Sequence, residues 1–160
     1  PLRAWELTPD NARHTVATNL LGVMNGVAAA VPQLLLQGQG ALAIVGSVAG
    51  YRGLPKALAY GPSKAALINF AETLYLDLAP KGVYVFLINR GFVATPLTAG
   101  NDFKMPALIS APDAAARIVR GFARGVFEIH FPRRFTGFLK LLSLLPDRLY
   151  FGLIARSTGL

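Results

Sequence analysis

The chain has 160 residues, no cysteine, a formal net charge of +8, and a composition that is 53% hydrophobic and 15% charged. This length and balance support one globular domain with a proper core and argue against a disordered chain, while the missing cysteines exclude a disulfide framework, a thiolate nucleophile and a cysteine-based zinc or iron–sulfur site. The charge is unevenly placed: eight Lys or Arg residues lie from Arg117 onward against only Glu128 and Asp147, so the last third is either a solvated arginine face or a surface for phosphates or anionic lipid.

Nothing here demands an oxidising compartment, so the expected location is cytoplasmic. The sequence opens on proline, with no leading hydrophobic segment before the first helix pattern, and the expectation is a portion of a longer protein.

In chain order, Thr8 and Pro9 form a helix start, cap and first helical position. Val16, Leu20, Val23 and Val27 supply an apolar stripe, Pro32 is the expected kink, and Gly38 to Gly40 end the helix. Residues 42–45 read as a buried strand. A loop follows, then a second long helix over 59–79 whose inner side carries Ala65, Leu67, Phe70, Ala71, Leu74 and Leu78. Residues 83–88 (VYVFLI) have the continuous apolar run of a strand buried on both faces. Residues 89–105 lack periodicity and read as a long functional loop. Ser110 and Asp113 then cap a helix that closes at Gly125, and residues 126–131 are a third strand. Helices alternating with strands imply parallel pairing through crossovers. The tail from Phe135 is leucine-rich but interrupted by Lys140, Pro146 to Arg148, and Arg156. It is too broken to span a bilayer, and it reads as ordinary core packing or as a cover for a substrate pocket, a subunit or a lipid surface.

The chemistry gathers between Ile44 and Ala66. Ser47 lies just past a strand end, where an α/β protein places its ligand crevice. Tyr60 and Lys64 stand one helical turn apart on one face. A phenol titrates too high to exchange protons near neutrality, and an adjacent ammonium favours the phenolate, so Tyr60 with Lys64 forms a credible acid/base pair with Ser47 holding the reacting oxygen. The plain alternative for Tyr60 is a ring packed on a lysine stem. His14 and His130 are too few and too far apart to suggest a metal site.

Ser47, then Tyr60 and Lys64 within Y-G-P-S-K-A-A, resemble the active-site signature of the short-chain dehydrogenase/reductase family. Asn19, in T-N-L-L-G-V, matches that family's helix asparagine, and Gly91 to Pro96 (G-F-V-A-T-P) resembles its nicotinamide-binding loop. The likeness runs from the first residue to about Phe131. It implies an α/β, Rossmann-like, doubly wound parallel sheet, of which residues 1–132 supply the C-terminal half, strands five to seven with their helices. Residues 133–160 would be a basic, hydrophobic extension.

The resemblance implies that Tyr60 exchanges the proton, that Lys64 assists it and binds the nicotinamide ribose, that Ser47 orients the carbonyl and that Asn19 supports the proton relay. Gly91, Val93 and Thr95 would hold the nicotinamide of NAD or NADP. The implied substrate is a small alcohol or carbonyl compound, apolar in character given the tail. Two departures stand out: Arg90 occupies a usual proline position, where it contacts a cofactor phosphate, meets an acidic substrate or points into solvent, and the family's glycine-rich phosphate loop lies upstream of Pro1. The expected partners are a second copy, bound through the helices containing Asn19 and Phe70, and a membrane surface, met peripherally through residues 135–160. Nucleic acid is not expected, since no recognisable module interleaves aromatics with the basic residues. A reading from another class is a non-catalytic fragment that serves as a dimerisation module.

Overall fold

Branched and aromatic residues without a breaker make Val83–Arg90 the central strand, β2. In the computed structural model, which describes residues 2–99 and 105–159, β2 lies between β1 (Gly40–Val45) and β5 (Glu128–Phe131), both parallel to it. Gly40 stands opposite Val83 and Val45 opposite Ile88; on the other side, Leu87 stands opposite Glu128 and Arg90 opposite Phe131. This is the parallel, Rossmann-like sheet expected from the alternating pattern.

Because strand side chains alternate, β2 feeds two cores. Leu87 packs with Ile44 beneath Val27, Leu67 and Ala71, which come from α2 (Gly22–Gln37) and α3 (Tyr60–Leu78). Phe86 and Ile88 pack with Ile129 and Phe131 under Ala114 of α5 (Ala111–Ala123). The expected burial on both faces fails at Tyr84, which is 61% exposed. Phe122, one residue before α5 ends, covers Phe86 at a ring separation of 4.8 Å, and the Tyr84 ring stacks beside Phe86 at 6.2 Å.

The first helix begins as expected. Thr8 Oγ1 accepts from the Asn11 backbone N–H at 3.2 Å, Asn11 Oδ1 accepts from the Thr8 N–H at 3.1 Å, and Pro9 takes the first turn. From there α1 (Pro9–Val16), a π turn (Ala17–Leu21) and α2 form one helix of 29 residues. Pro32, the expected kink, sits inside α2. The departure from α geometry comes instead at the π turn, where the Gly22 N–H reaches the Ala17 carbonyl. By length and hydropathy this helix could cross a membrane. Its Leu20, Val23, Val27 and Val31 pack on the sheet and on α3 along one side, the rest of its apolar length is open to solvent, and Gly38 ends it at φ 64°.

The segment expected as a loop has more structure. Asn89 and Arg90 belong to β2 because both pair with β5. β3 (Val93–Ala94) pairs with β4 (Ile109–Ser110), and α4 (Pro96–Ala99) lies between them; Gly100 falls outside the described residues. Ser110 caps α5 through the Asp113 N–H. The leucine-rich tail folds into α6 (Arg133–Ser143) and α7 (Asp147–Thr158).

Candidate active site

The register that sets Val45 against Ile88 places the next residues, Gly46 and Ser47, beside Asn89 and Arg90 at the carboxyl ends of β1 and β2. Only glycine fits at position 46, since a Cβ would run into Asn89 Oδ1. Ser47 is buried and starts the 3₁₀ turn Val48–Gly50; its Oγ accepts from the Ala49 N–H at 3.2 Å. Its own proton has no acceptor among the described residues, which leaves it free to donate.

Two glycines bring α3 against this turn. A Cβ on Gly50 would stand 2.7 Å from the Lys64 carbonyl carbon, and one on Gly61 3.2 Å from the Ala49 carbonyl oxygen. Backbone therefore meets backbone where the serine turn crosses the first turns of α3, so Ser47 and the Tyr60/Lys64 face are held as one unit. Tyr60 opens α3, and its hydroxyl has no hydrogen-bond partner among the described residues. The Lys64 ammonium lies 5.7 Å from the Tyr60 ring centroid and donates to the Val45 carbonyl at 2.8 Å. Burial pulls the Lys64 pKa down, and the Arg90 guanidinium pulls it further. Arg90 thus acts electrostatically within the site, and neither cation has a carboxylate paired to it among the described residues.

Asn19 reaches the same place from the opposite helix. Its Nδ2 donates to Ser63 Oγ at 3.2 Å, and Ser63 Oγ donates to the Tyr60 carbonyl at 2.7 Å. The π turn, which adds a residue at Asn19, and the first turn of α3 are joined by this chain of bonds. In the loop after β2, the buried Gly91 donates its N–H to the Phe131 carbonyl at 2.8 Å, and a Cβ there would stand a tight 3.2 Å from the Phe135 ring. Val93 and Thr95 are fixed by a residue that the sequence did not single out. Thr98 Oγ1 donates to the Val93 carbonyl at 2.7 Å and accepts from the Thr95 N–H at 3.0 Å. Asn19, Ser47, Tyr60 and Lys64 are therefore brought together, with Arg90 alongside. The Gly91–Thr95 loop stands at the carboxyl end of the neighbouring strand.

A second group of residues, also missed in the sequence, ties the tail to the stretch between Ser47 and Tyr60. Tyr51 Oη donates to Glu128 Oε1 at 2.7 Å, Asn89 Nδ2 donates to the same oxygen at 2.8 Å, and the Lys140 ammonium binds Oε2. Arg52 donates to the Ser143 and Leu145 carbonyls at the end of α6, pairs with Asp147, and stacks 4.1 Å over the Tyr150 ring. Tyr150 Oη donates to the Gly53 carbonyl at 2.8 Å. Burial would raise the Glu128 pKa, but hydrogen bonds from Asn89, Lys140 and Tyr51 outweigh it and hold the carboxyl below its usual range. Burial, followed by that carboxylate, drives the Tyr51 phenol far above the ordinary tyrosine range. Tyr51 stays protonated and is unsuited to proton exchange. An arginine and a carboxylate 95 residues apart leave no periodic signal, so only the folded chain reveals the pairing.

The chain resembles known proteins over most of its length. A family model described as short chain dehydrogenase matches residues 3–105. An uncharacterized oxidoreductase of Myxococcus xanthus is 38% identical over 147 residues, which is 92% of this chain and 58% of that protein. A 2-dehydro-3-deoxy-L-rhamnonate dehydrogenase (NAD(+)) of a Sphingomonas species is 34% identical over 116 residues, covering 72% of this chain and 43% of that protein. Among solved structures, a short chain dehydrogenase from Burkholderia cenocepacia in complex with NADP aligns with 96% of this chain and 61% of its own, at 25% identity and a TM-score of 0.79. One from Sphingobium yanoikuyae in complex with NADPH aligns over 91% and 61%, at 22% identity and a TM-score of 0.77. The chain spans about half the length of the curated relatives it matches.

Proposed function

This chain belongs to the short chain dehydrogenase family, and on that premise we propose that it carries the proton-handling part of a nicotinamide-dependent oxidoreductase that acts on an alcohol or carbonyl group. The observation that carries the reading is the joining of Ser47, Tyr60, Lys64 and Asn19 through the Gly50 and Gly61 contacts and the Asn19–Ser63 bond. The donor set also fits the nicotinamide and ribose end of NAD or NADP, as found in complexes of related structures. Lys64 and Arg90 are cations without a paired acid among the described residues, and Val93 and Thr95 are held by hydrogen bonds from Thr98 at a strand end.

Bound there, a nicotinamide supplies or accepts hydride. Tyr60, its hydroxyl unpartnered among the described residues, gives a proton to the carbonyl oxygen in reduction or takes one from the alcohol in oxidation. The Ser47 O–H donates to the same oxygen and steadies its developing negative charge. The Lys64 ammonium, now donating to the Val45 carbonyl, favours the phenolate when the proton leaves and would be the residue to hold the ribose of a bound nicotinamide nucleotide. Asn19 fixes the first turn of α3, and so both side chains.

Replacing Ser47 with alanine in the full-length protein is expected to lower kcat/KM on the order of 10²-fold, with a fall in Tm of only a few degrees from the lost bond to the Ala49 N–H. Wild-type turnover in that variant would remove Ser47 from the mechanism and break the constellation on which the proposal stands.

The outward residues of the two long helices support self-association. Leu36 of α2 is 84% exposed and Leu76 of α3 is 72% exposed, with Leu21 also open to solvent. We infer that a second copy covers the helices containing Asn19 and Phe70. Sedimentation of a Leu36→Glu, Leu76→Glu variant is expected to give half the wild-type mass or less, and an unchanged mass would reject this interface.

A further inference from the structure

The outer faces of α6 and α7 take no part in the chemistry proposed above, and they cannot turn inward. Thr136 is fully buried, its Oγ1 bonded to the Pro132 carbonyl and to His130 Nδ1, and Tyr150 is held by Gly53 and Arg52. With those sides locked, Arg134, Phe138 and Leu141 fall at i, i+4 and i+7 along the outer side of α6. Leu149, Leu153 and Arg156 repeat the spacing on α7. All six are exposed, Leu141 at 64%, and nearby Leu144 and Phe151 are open at 79% and 60%. So many large apolar side chains left exposed on two consecutive helices call for a cover.

Charge says what covers it. The two helices carry Arg133, Arg134, Lys140, Arg148 and Arg156 against Asp147 alone. Lys140 is taken by Glu128 and Asp147 by Arg52, so four arginines remain without an ion pair among the described residues. Arg133 continues this field into an open cavity of about 280 Å³ that it shares with Arg117, Arg120 and Arg124. A second copy docked face to face would set arginine against arginine, because a two-fold contact brings the same patch from both subunits. An anionic surface meets both the charge and the apolar stripe.

We propose that α6 and α7 dock the protein in the plane of an anionic phospholipid bilayer, with Phe138, Leu141, Leu149 and Leu153 in the acyl boundary and the arginines on headgroup phosphates. The docking is independent of the reaction proposed for the site.

Flotation of the full-length protein with vesicles tests it. Binding is expected to vesicles of phosphatidylcholine with added phosphatidylserine, to fall as salt rises, and to be slight on phosphatidylcholine alone. Each headgroup arginine lost should weaken partition about fivefold, so Arg134→Gln with Arg148→Gln should weaken it roughly 25-fold while circular dichroism and turnover stay unchanged. Phe138→Ser with Leu141→Ser should also release the protein. No flotation on the anionic vesicles would overturn the proposal. So would equal binding to neutral and anionic vesicles, or a salt-resistant self-association abolished by Phe138→Ser.

Discussion

Full-length protein with Tyr60 replaced by phenylalanine is expected to fold as the wild type does and to turn over about 10²- to 10⁴-fold more slowly. The effect separates cleanly from stability because of where the hydroxyl sits. Tyr60 Oη has no hydrogen-bond partner among the described residues, so deleting it leaves no buried group unsatisfied. The Lys64 ammonium, 5.7 Å from the ring centroid, still has an aromatic face beside it in the variant. Neighbouring Tyr51 cannot take over. Its phenol is held protonated by burial and by Glu128, and its hydroxyl is already committed to that carboxylate. Single-turnover rates and Tm for the two proteins, measured side by side, decide the matter. A slow variant with an unchanged Tm supports Tyr60 as the acid/base, and undiminished turnover removes it from that role.

The sequence made the sheet and the catalytic signature legible for a physical reason. Val83 to Ile88 and the Tyr60-to-Lys64 spacing are local patterns, a buried strand and one turn of a helix, and local patterns survive without tertiary context. Asn19 was legible only through its resemblance to a family motif; that it sits in a π turn, bonded to Ser63, depends on a helix packed 44 positions away. The segment after β2 was harder still. Short pairings such as Val93–Ala94 with Ile109–Ser110 carry no periodicity, and Asn89 and Arg90 extend β2 only because β5 is there to pair with them. Arg52 and Glu128 were invisible for the same reason. A charged residue in a loop, as Arg52 is, or at the start of a strand, as Glu128 is, usually meets water, and these two meet α7 and α6 instead.

Glu128 is where that hidden contact has the greatest consequence for folding. Its carboxylate takes Tyr51 and Asn89 on one oxygen and Lys140 on the other, joining the loop after Ser47, the end of β2 and helix α6. Glu128→Ala strands all three donors at once. Asn89, fully buried, already has an Oδ1 with no partner, so the variant would leave its whole amide unpaired. Removing one partner of a buried pair costs about 3–5 kcal/mol, and the part-exposure of Lys140 places this case near the lower end. That corresponds to a fall in Tm of roughly 6–12 °C. The pH dependence has a definite sign. Because the native pKa of Glu128 is depressed, its stabilisation is fully present above the unfolded glutamate value of about 4.3 and is lost as pH falls through the lower native value. Melting curves of wild type and Glu128→Ala should therefore lie far apart at neutral pH and draw together below about pH 4. Curves that stay parallel across that range would show that the carboxylate does not bind this network in its charged form. Since Tyr51 and Arg52 sit in the loop between Ser47 and Tyr60, the variant should also lower kcat/KM at temperatures where it remains folded, which would connect the C-terminal helices to the geometry of the proposed acid/base residues.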